Sequence, residues 1–271
     1  MIENDRSIHS PNEPVSDSML KSSTWEIEKS WQDSEFAKTV DSFDKAFERY
    51  EEQISVGKQS RVFRVSIENG TFFIKQYFSA LGLSAWFGYS RCQVEVRNIR
   101  WFTSQQIACG QLVAHGIETK NFRSKRGVLI TANVSNSKNL QETAETWGGI
   151  FTDRHWRINV INQLAEITRR LHSQNFCHND FQWRNVLVTQ DLQSPRIFLI
   201  DCPFGRKFAW PILKYRKIKD LGSLDEQARK HLSRTDRLRF YKRYRGIERL
   251  AKIDKKTIRT MLVRYGGSPH G

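Results

Sequence analysis

Long apolar runs are absent from this 271-residue chain, whose hydrophobic stretches are short and broken by charge. That excludes a membrane-spanning helix of about 20 apolar residues. The opening segment MIENDRSIHSPNEPVSDSML has no basic region followed by an apolar core, so no secretory leader is expected. Cysteine is scarce. Cys92, Cys109, Cys177 and Cys202 form no CxxC pair and no Cys/His cluster, which argues against zinc and for buried thiols in a reducing cytoplasm. Acidic residues thin out along the chain. Residues 1–55 hold 6 basic against 13 acidic residues, whereas residues 202–271 hold 20 against 6, within an overall charge of +15. A field of that kind attracts polyanions: ATP, an anionic membrane face, an acidic glycolipid or nucleic acid. No nucleic-acid recognition motif accompanies the basic residues, so nucleic acid is not expected as a partner.

Residues 1–22 are polar, Ser-rich and proline-containing, and are expected to be disordered. Trp25, Trp31, Phe36, Val40, Phe43 and Phe47 give residues 23–51 a mixed amphipathic pattern, read as a short helical extension packed on the body. From residue 52 the pattern changes. Arg61-Val62-Phe63-Arg64-Val65-Ser66-Ile67 alternates as a strand, Glu68-Asn69-Gly70 is a hairpin turn, and Thr71-Phe72-Phe73-Ile74-Lys75 returns. A helix over 91–106, a strand over 128–131 and a polar linker over 133–138 follow. A long helix spans 155–173, two short strands cover 186–189 and 197–200, and everything after Pro211 reads as helical and basic. Hairpins first and helices last imply a segregated α+β architecture.

The chemistry concentrates in HNDFQWRNVLVTQDLQSPRIFLIDCPFG. Asp180 stands beside a histidine, Asn185 lies five positions on, and Asp201 follows the second strand. Phosphoryl transfer from ATP uses that set: a carboxylate to orient and deprotonate a hydroxyl, and an amide with a second carboxylate to hold Mg²⁺. Upstream, Lys75 at a strand end and Glu95 on a helix supply a cation for ATP phosphates and a carboxylate to fix it. Gly57, in Gly57-Lys58-Gln59-Ser60-Arg61, is a candidate nucleotide-covering turn, although it has one glycine where such turns carry several. His178 is read as a packing residue that holds the loop. Trp183 and Arg184 either face the acceptor or pack, and Asp220 either braces the loop backbone or caps a helix. Between Lys75 and Glu95, Phe78, Leu81, Leu83, Trp86 and Phe87 form an aromatic insert. It reads as a connector that could also meet acyl chains.

With these residues in place, the chain resembles the protein-kinase-like superfamily, and within it the lipopolysaccharide kinases of the Kdo/WaaP type. The resemblance runs from about residue 53 to 245. It includes Ser60-Arg61-Val62-Phe63-Arg64-Val65, Phe73-Ile74-Lys75 and Lys219-Asp220-Leu221-Gly222-Ser223-Leu224. It implies a bilobal α+β kinase-like fold, with an N-lobe over 52–132 and a C-lobe over 133–271. ATP and Mg²⁺ would occupy the cleft, and the acceptor would be a sugar hydroxyl, heptose or Kdo, of the lipid A–core. Carried over by motif, Asp180 is the base, Asn185 and Asp201 are the metal ligands, and Lys75 with Glu95 holds the phosphates. Thr131, Ala132 and Asn133 form the hinge that meets adenine. Asp201 is followed by Cys202-Pro203-Phe204-Gly205 in place of DFG, and no Ala-Pro-Glu segment follows. Both departures argue against a regulated protein kinase.

A small-molecule phosphotransferase, a compact atypical protein kinase and a catalytically dead nucleotide-binding scaffold remain as other readings. The expected setting is cytoplasmic, and Arg206, Lys207, Lys214, Arg216 and Lys217 are read either as ligands for phosphates or carboxylates of the glycolipid or as a contact with an anionic inner-membrane face.

Overall fold

The computed structural model describes residues 21–49, 51–67, 70–78, 90–120 and 123–265. Its N-terminal half is organised by one antiparallel sheet. Strand β1 (Lys21–Ile27) is followed by the short helices α1 (Glu35–Thr39) and α2 (Phe43–Phe47) and by strands β2 (Glu52–Val56), β3 (Ser60–Ile67) and β4 (Gly70–Phe78). Helix α3 (Arg91–Ser104) and strands β5 (Leu112–Lys120) and β6 (Arg123–Ala132) complete this lobe, with sheet order β1-β5-β6-β4-β3-β2.

The period of two in β4 decides which side chain goes where. Phe72 and Ile74 enter a core with Phe36, Val40, Phe43, Phe47, Val65 and Ile130, which α1 and α2 seal. On that face the Phe36 and Phe72 rings stack, and Arg126 lies 4.6 Å over Phe47. Phe73, Lys75 and Tyr77 point the other way, toward α3 and the cleft. Lys75 therefore sits in mid-strand, with β4 running three residues past the expected end. Helix α3 starts at a capping box between Ser90 and Gln93, and Cys92, Val96 and Ile99 pack on the sheet.

Two differences from the sequence expectations arise in this lobe. Residues 21–27, assigned to the tail and the helical extension, form β1 and pair along their whole length with β5. The Trp25/Ile27 alternation packs on the α1–α2 core, and this period of two wins over the looser helical spacing. Strand β5 itself was not anticipated, because Ala114-His115-Gly116 reads as a weak strand. Gly116 is needed there: a Cβ would lie 2.5 Å from the Thr24 carbonyl oxygen, so glycine lets β1 approach. Of the aromatic insert, Phe78 ends β4, and the rest lies outside the described residues.

The C-terminal half is mainly helical. A small sheet of β7 (Ser137–Asn139), β9 (Val186–Thr189) and β10 (Ile197–Leu199) lies beside helices α4 (Leu140–Thr146) and α5 (Arg154–Ser173). Asp153 caps α5 by accepting from the Trp156 amide at 2.9 Å. Strands β8 (Phe176–Cys177) and β11 (Arg206–Lys207) pair, and helices α6 (Ile212–His231), α7 (Arg234–Arg245) and α8 (Lys252–Tyr265) close the lobe. Trp156, Leu164, Leu171, Phe181, Val186 and Leu199 anchor its core. Trp183 belongs to that core too, stacked on Phe151, which settles its role as packing.

Candidate active site

The cleft between the lobes has a volume of about 890 Å³ and collects side chains from both. From the sheet come Lys75 and Thr131, with Asn133 just past the end of β6; from α3 comes Glu95; from the C-lobe come Asn185 and Asp201. Lys75 Nζ donates to Glu95 Oε2 at 2.9 Å and to Asp201 Oδ1. Tyr77, two residues along the same strand face, donates its hydroxyl to the same Glu95 oxygen. Burial alone would pull the Lys75 pKa down, but the Glu95 and Asp201 carboxylates more than offset it and the pKa is raised. For the fully buried Glu95, burial raises the carboxyl and Lys75 pulls it back. The lysine is thus held charged and aimed into the cleft.

Across the cleft, the loop of residues 178–185 leaves β8 and is gripped from below. Asp220, in the middle of α6, accepts the amides of His178 at 2.7 Å and Asn179 at 2.8 Å. It is therefore a brace rather than a helix cap. His172 Nε2 lies 3.3 Å from the same carboxylate, and its Nδ1 lies 2.9 Å from the Tyr244 hydroxyl. The His178 ring is buried and stacks on Phe181. Asn179 and Asp201 adopt left-handed backbone (φ 66° and 56°), a region that Asn and Asp tolerate better than most residues.

Asp180 is held by its neighbours. Asn185 Nδ2 donates to the Asp180 carbonyl at 2.8 Å and to Oδ2 at 3.1 Å, and Arg184 Nη2 lies 3.1 Å from Oδ2. Because the Asn185 nitrogen is spent on Asp180, its Oδ1 is the atom left to ligate a cation. Asn185 and Asp201 then offer hard oxygen donors from the two ends of the β9–β10 hairpin, a donor set that suits Mg²⁺.

The segment after Asp201 is locked to α3. Asn98, one helical turn beyond Glu95, donates to the carbonyls of Cys202 and Gly205, both at 2.8 Å. A Cβ on Gly205 would lie 2.4 Å from Cys202 Sγ and 2.6 Å from the Phe176 ring, so only glycine fits. Helix α3 thereby fixes the Lys75 partner and the DCPFG turn together.

Other expected site residues fall differently. Gly57 closes the β2–β3 turn through its amide to the Ser60 carbonyl at 2.8 Å and is not among the residues lining the cleft; Ile54, Ser55 and Val62 of the same hairpin are. Thr131 and Asn133 line the cleft and Ala132 does not. The Ala132 amide donates to the Gln111 carbonyl and the Asn133 amide to the Thr71 carbonyl. The Val134 amide, next along, has no acceptor among the described residues.

On the far side of Asp180 lies a second cavity of about 770 Å³, lined by Asn179, Asp180 and the cations Arg97, Arg184, Arg206, Arg216 and Lys219. Arg216 of α6 stacks 5.2 Å from Phe208 and donates to Asn179 Oδ1 at 3.4 Å, and its Nε is buried with no acceptor among the described residues. Arg184 lines both this basin and the inter-lobe cleft. Arg206 and Arg216 were expected as candidate ligands for anionic groups of the acceptor, but the cavity that joins them to Asp180, Arg97 and Arg184 was not anticipated. Its walls come from α3, the loop after β8 and α6, and no local spacing announces that they meet.

A β-sheet lobe with a Lys–Glu pair, hinged to a helical lobe with a base, an amide and a carboxylate on adjoining turns, defines a protein-kinase-like phosphotransferase fold. The lipopolysaccharide kinase (Kdo/WaaP) family matches residues 38–244, and the chain belongs to that family. A 3-deoxy-D-manno-octulosonic acid kinase of Actinobacillus succinogenes is 28% identical over 89 residues, which span 33% of this chain and 34% of the relative. Among solved structures, WaaP in complex with acyl carrier protein superposes with a TM-score of 0.71 at 18% identity, covering 91% of this chain and 100% of WaaP.

Proposed function

We propose that the chain transfers the γ-phosphoryl group of ATP to a hydroxyl of an inner-core lipopolysaccharide sugar, Kdo or heptose. The observation that carries this reading is the position of Asp180, between a cleft furnished for a nucleotide and a basin furnished with cations. Val62 above and Leu187 below would sandwich adenine, with the hinge contact falling to Val134 and the neighbouring carbonyls. Lys75 would neutralise the α- and β-phosphates, held in place by Glu95 and Tyr77. Mg²⁺, held by Asn185 and Asp201, would neutralise charge on the transferring and leaving oxygens.

The acceptor hydroxyl lies in the basin and approaches from the Asp180 side. Asp180 orients it and takes its proton as the new O–P bond forms and the bond from the γ-phosphorus to the bridging oxygen breaks, releasing ADP. Arg184, reaching both cavities, can balance charge on the moving phosphoryl group while it steadies Asp180. The basin's cations suit an acidic sugar, in keeping with the Actinobacillus relative, a 3-deoxy-D-manno-octulosonic acid kinase. A need for ATP sets the reaction at the cytoplasmic face of the inner membrane.

The test is direct. Purified protein with Mg²⁺ and ATP is given Kdo-bearing and heptose-bearing lipid A precursors, and mass spectrometry reads one added phosphate. Asp180→Asn should abolish it. Failure of the wild-type protein to phosphorylate either acceptor would overturn the reading.

A further inference from the structure

The least buried large apolar side chains of the C-lobe include a cluster beside the basin. Trp210 is 80% exposed, Ile212 56%, Tyr215 46% and Phe204 44%. They lie along the segment and first turns of α6 that border the basin, and Arg216, over the Tyr215 ring, ties them to the basin wall that includes Phe204. Ile212 and Tyr215 are three apart on the first turns of α6 and share a face, and Trp210 enters that turn. Tyr215 lies beside Arg216, which lines the basin, and Phe204 is itself part of the basin wall. Arg264 of α8 stacks on Tyr215 from the other side at 5.5 Å.

The charge around this ridge has one sign. Residues 204–219 contain Arg206, Lys207, Lys214, Arg216, Lys217 and Lys219 and no Asp or Glu. A protruding tryptophan and isoleucine ringed by lysine and arginine match the interfacial region of an anionic bilayer. Trp and Tyr favour the headgroup level, and each nearby Lys or Arg adds attraction to anionic lipid. No described helix is long and apolar enough to cross a membrane, so the contact is with its surface.

We propose that Trp210, Ile212, Tyr215 and Phe204 form a docking ridge for an anionic bilayer, seated so that the mouth of the basin faces the lipid headgroups. The ridge sets the catalytic base near the membrane plane, where a glycolipid can present its sugar without leaving the bilayer. The purpose of this arrangement rests on the glycolipid reading above; the docking itself does not.

Vesicle sedimentation tests it without any acceptor. The wild-type protein is expected to pellet with phosphatidylglycerol-containing vesicles at low salt and to remain in the supernatant with pure phosphatidylcholine. The double variant Trp210→Ala/Ile212→Ala should bind the anionic vesicles at least about tenfold more weakly, as expected when two large apolar groups no longer insert. Lys207→Gln/Lys214→Gln should weaken binding with a reduced salt dependence. Trp210 should be quenched by bromine-labelled acyl chains, a signal lost in Trp210→Phe. Unchanged melting temperature, and unchanged phosphorylation of a deacylated, water-soluble acceptor, would show that the apolar variant is folded. Absence of wild-type binding, equal binding by the apolar double variant, or a concentration-dependent dimer abolished by that variant would each overturn the proposal. Vesicle binding by a protein that phosphorylates no acceptor would leave the ridge standing and remove the kinase reading alone.

Discussion

The inter-lobe cleft takes Lys75 from β4 and Glu95 from α3, elements whose sequence periods dictate which face each side chain joins. The basin takes Arg97 from α3, Arg184 from the loop after β8, Arg206 from β11 and Arg216 from α6. One cavity balances its charges internally, as Lys75 is held by Glu95 and Asp201. The other accumulates cations around Asp180, and the buried Nε of Arg216 has no acceptor among the described residues. A balanced site can be rigid before its ligand arrives. An unbalanced one asks for an anionic ligand to complete it.

Substitutions can break that contrast. After Asp180→Asn, the largest effect is expected from Asp201→Ala, which removes a proposed metal ligand and one of the carboxylates facing Lys75. Turnover should fall on the order of 10³-fold with either acceptor, and Mg²⁺ titration should no longer restore it. Arg216→Ala should act on the basin alone. The acceptor KM should rise about tenfold or more, the value of a charged hydrogen bond, while the KM for ATP stays put. Equal changes in both constants would mean that the two cavities are not separable, and an acceptor with its carboxylate esterified should be blind to the substitution.

The smallest effect concerns the support beneath the loop. Burial depresses the pKa of His172, against the pull of Asp220, and depresses that of His178 as well. The folded protein therefore refuses protons that the unfolded chain accepts. Stability from these two groups is complete above the ordinary histidine pKa of about 6.5 and is lost as pH falls through and below it. Thermal melts between about pH 5 and 8 should show that decline, and His172→Gln should flatten it.

The same contrast explains what could be read from the chain. Asp180, Asn185 and Asp201 were legible because one loop and one hairpin bring them together, so spacing along the chain nearly equals spacing in the fold. Lys75 and Glu95 were legible as a strand face and a helix face. Two further residues were within reach by periodicity: Tyr77 shares a strand face with Lys75, and Asn98 shares a helix face with Glu95. Arg216 was expected only as one of five basic residues that could hold anionic groups of a glycolipid or face an anionic membrane. Its stacking on Phe208 and its hold on Asn179 depend on how α6 crosses the loop, which no local pattern encodes.

Strand β1 has a practical consequence for anyone trimming this protein. The family match begins at residue 38, which invites a fragment starting there. Such a fragment would lose the strand paired with β5 and expose a row of unsatisfied amides and carbonyls, an open template for strand exchange between molecules. It would also cut the tie from Glu28 to Arg100 at 2.6 Å, which anchors α3 from outside. Because α3 carries both Glu95 and Asn98, removing β1, which lies wholly upstream of the matched region, should loosen the partner of Lys75 and the turn after Asp201. The shortest durable unit of this enzyme begins at β1.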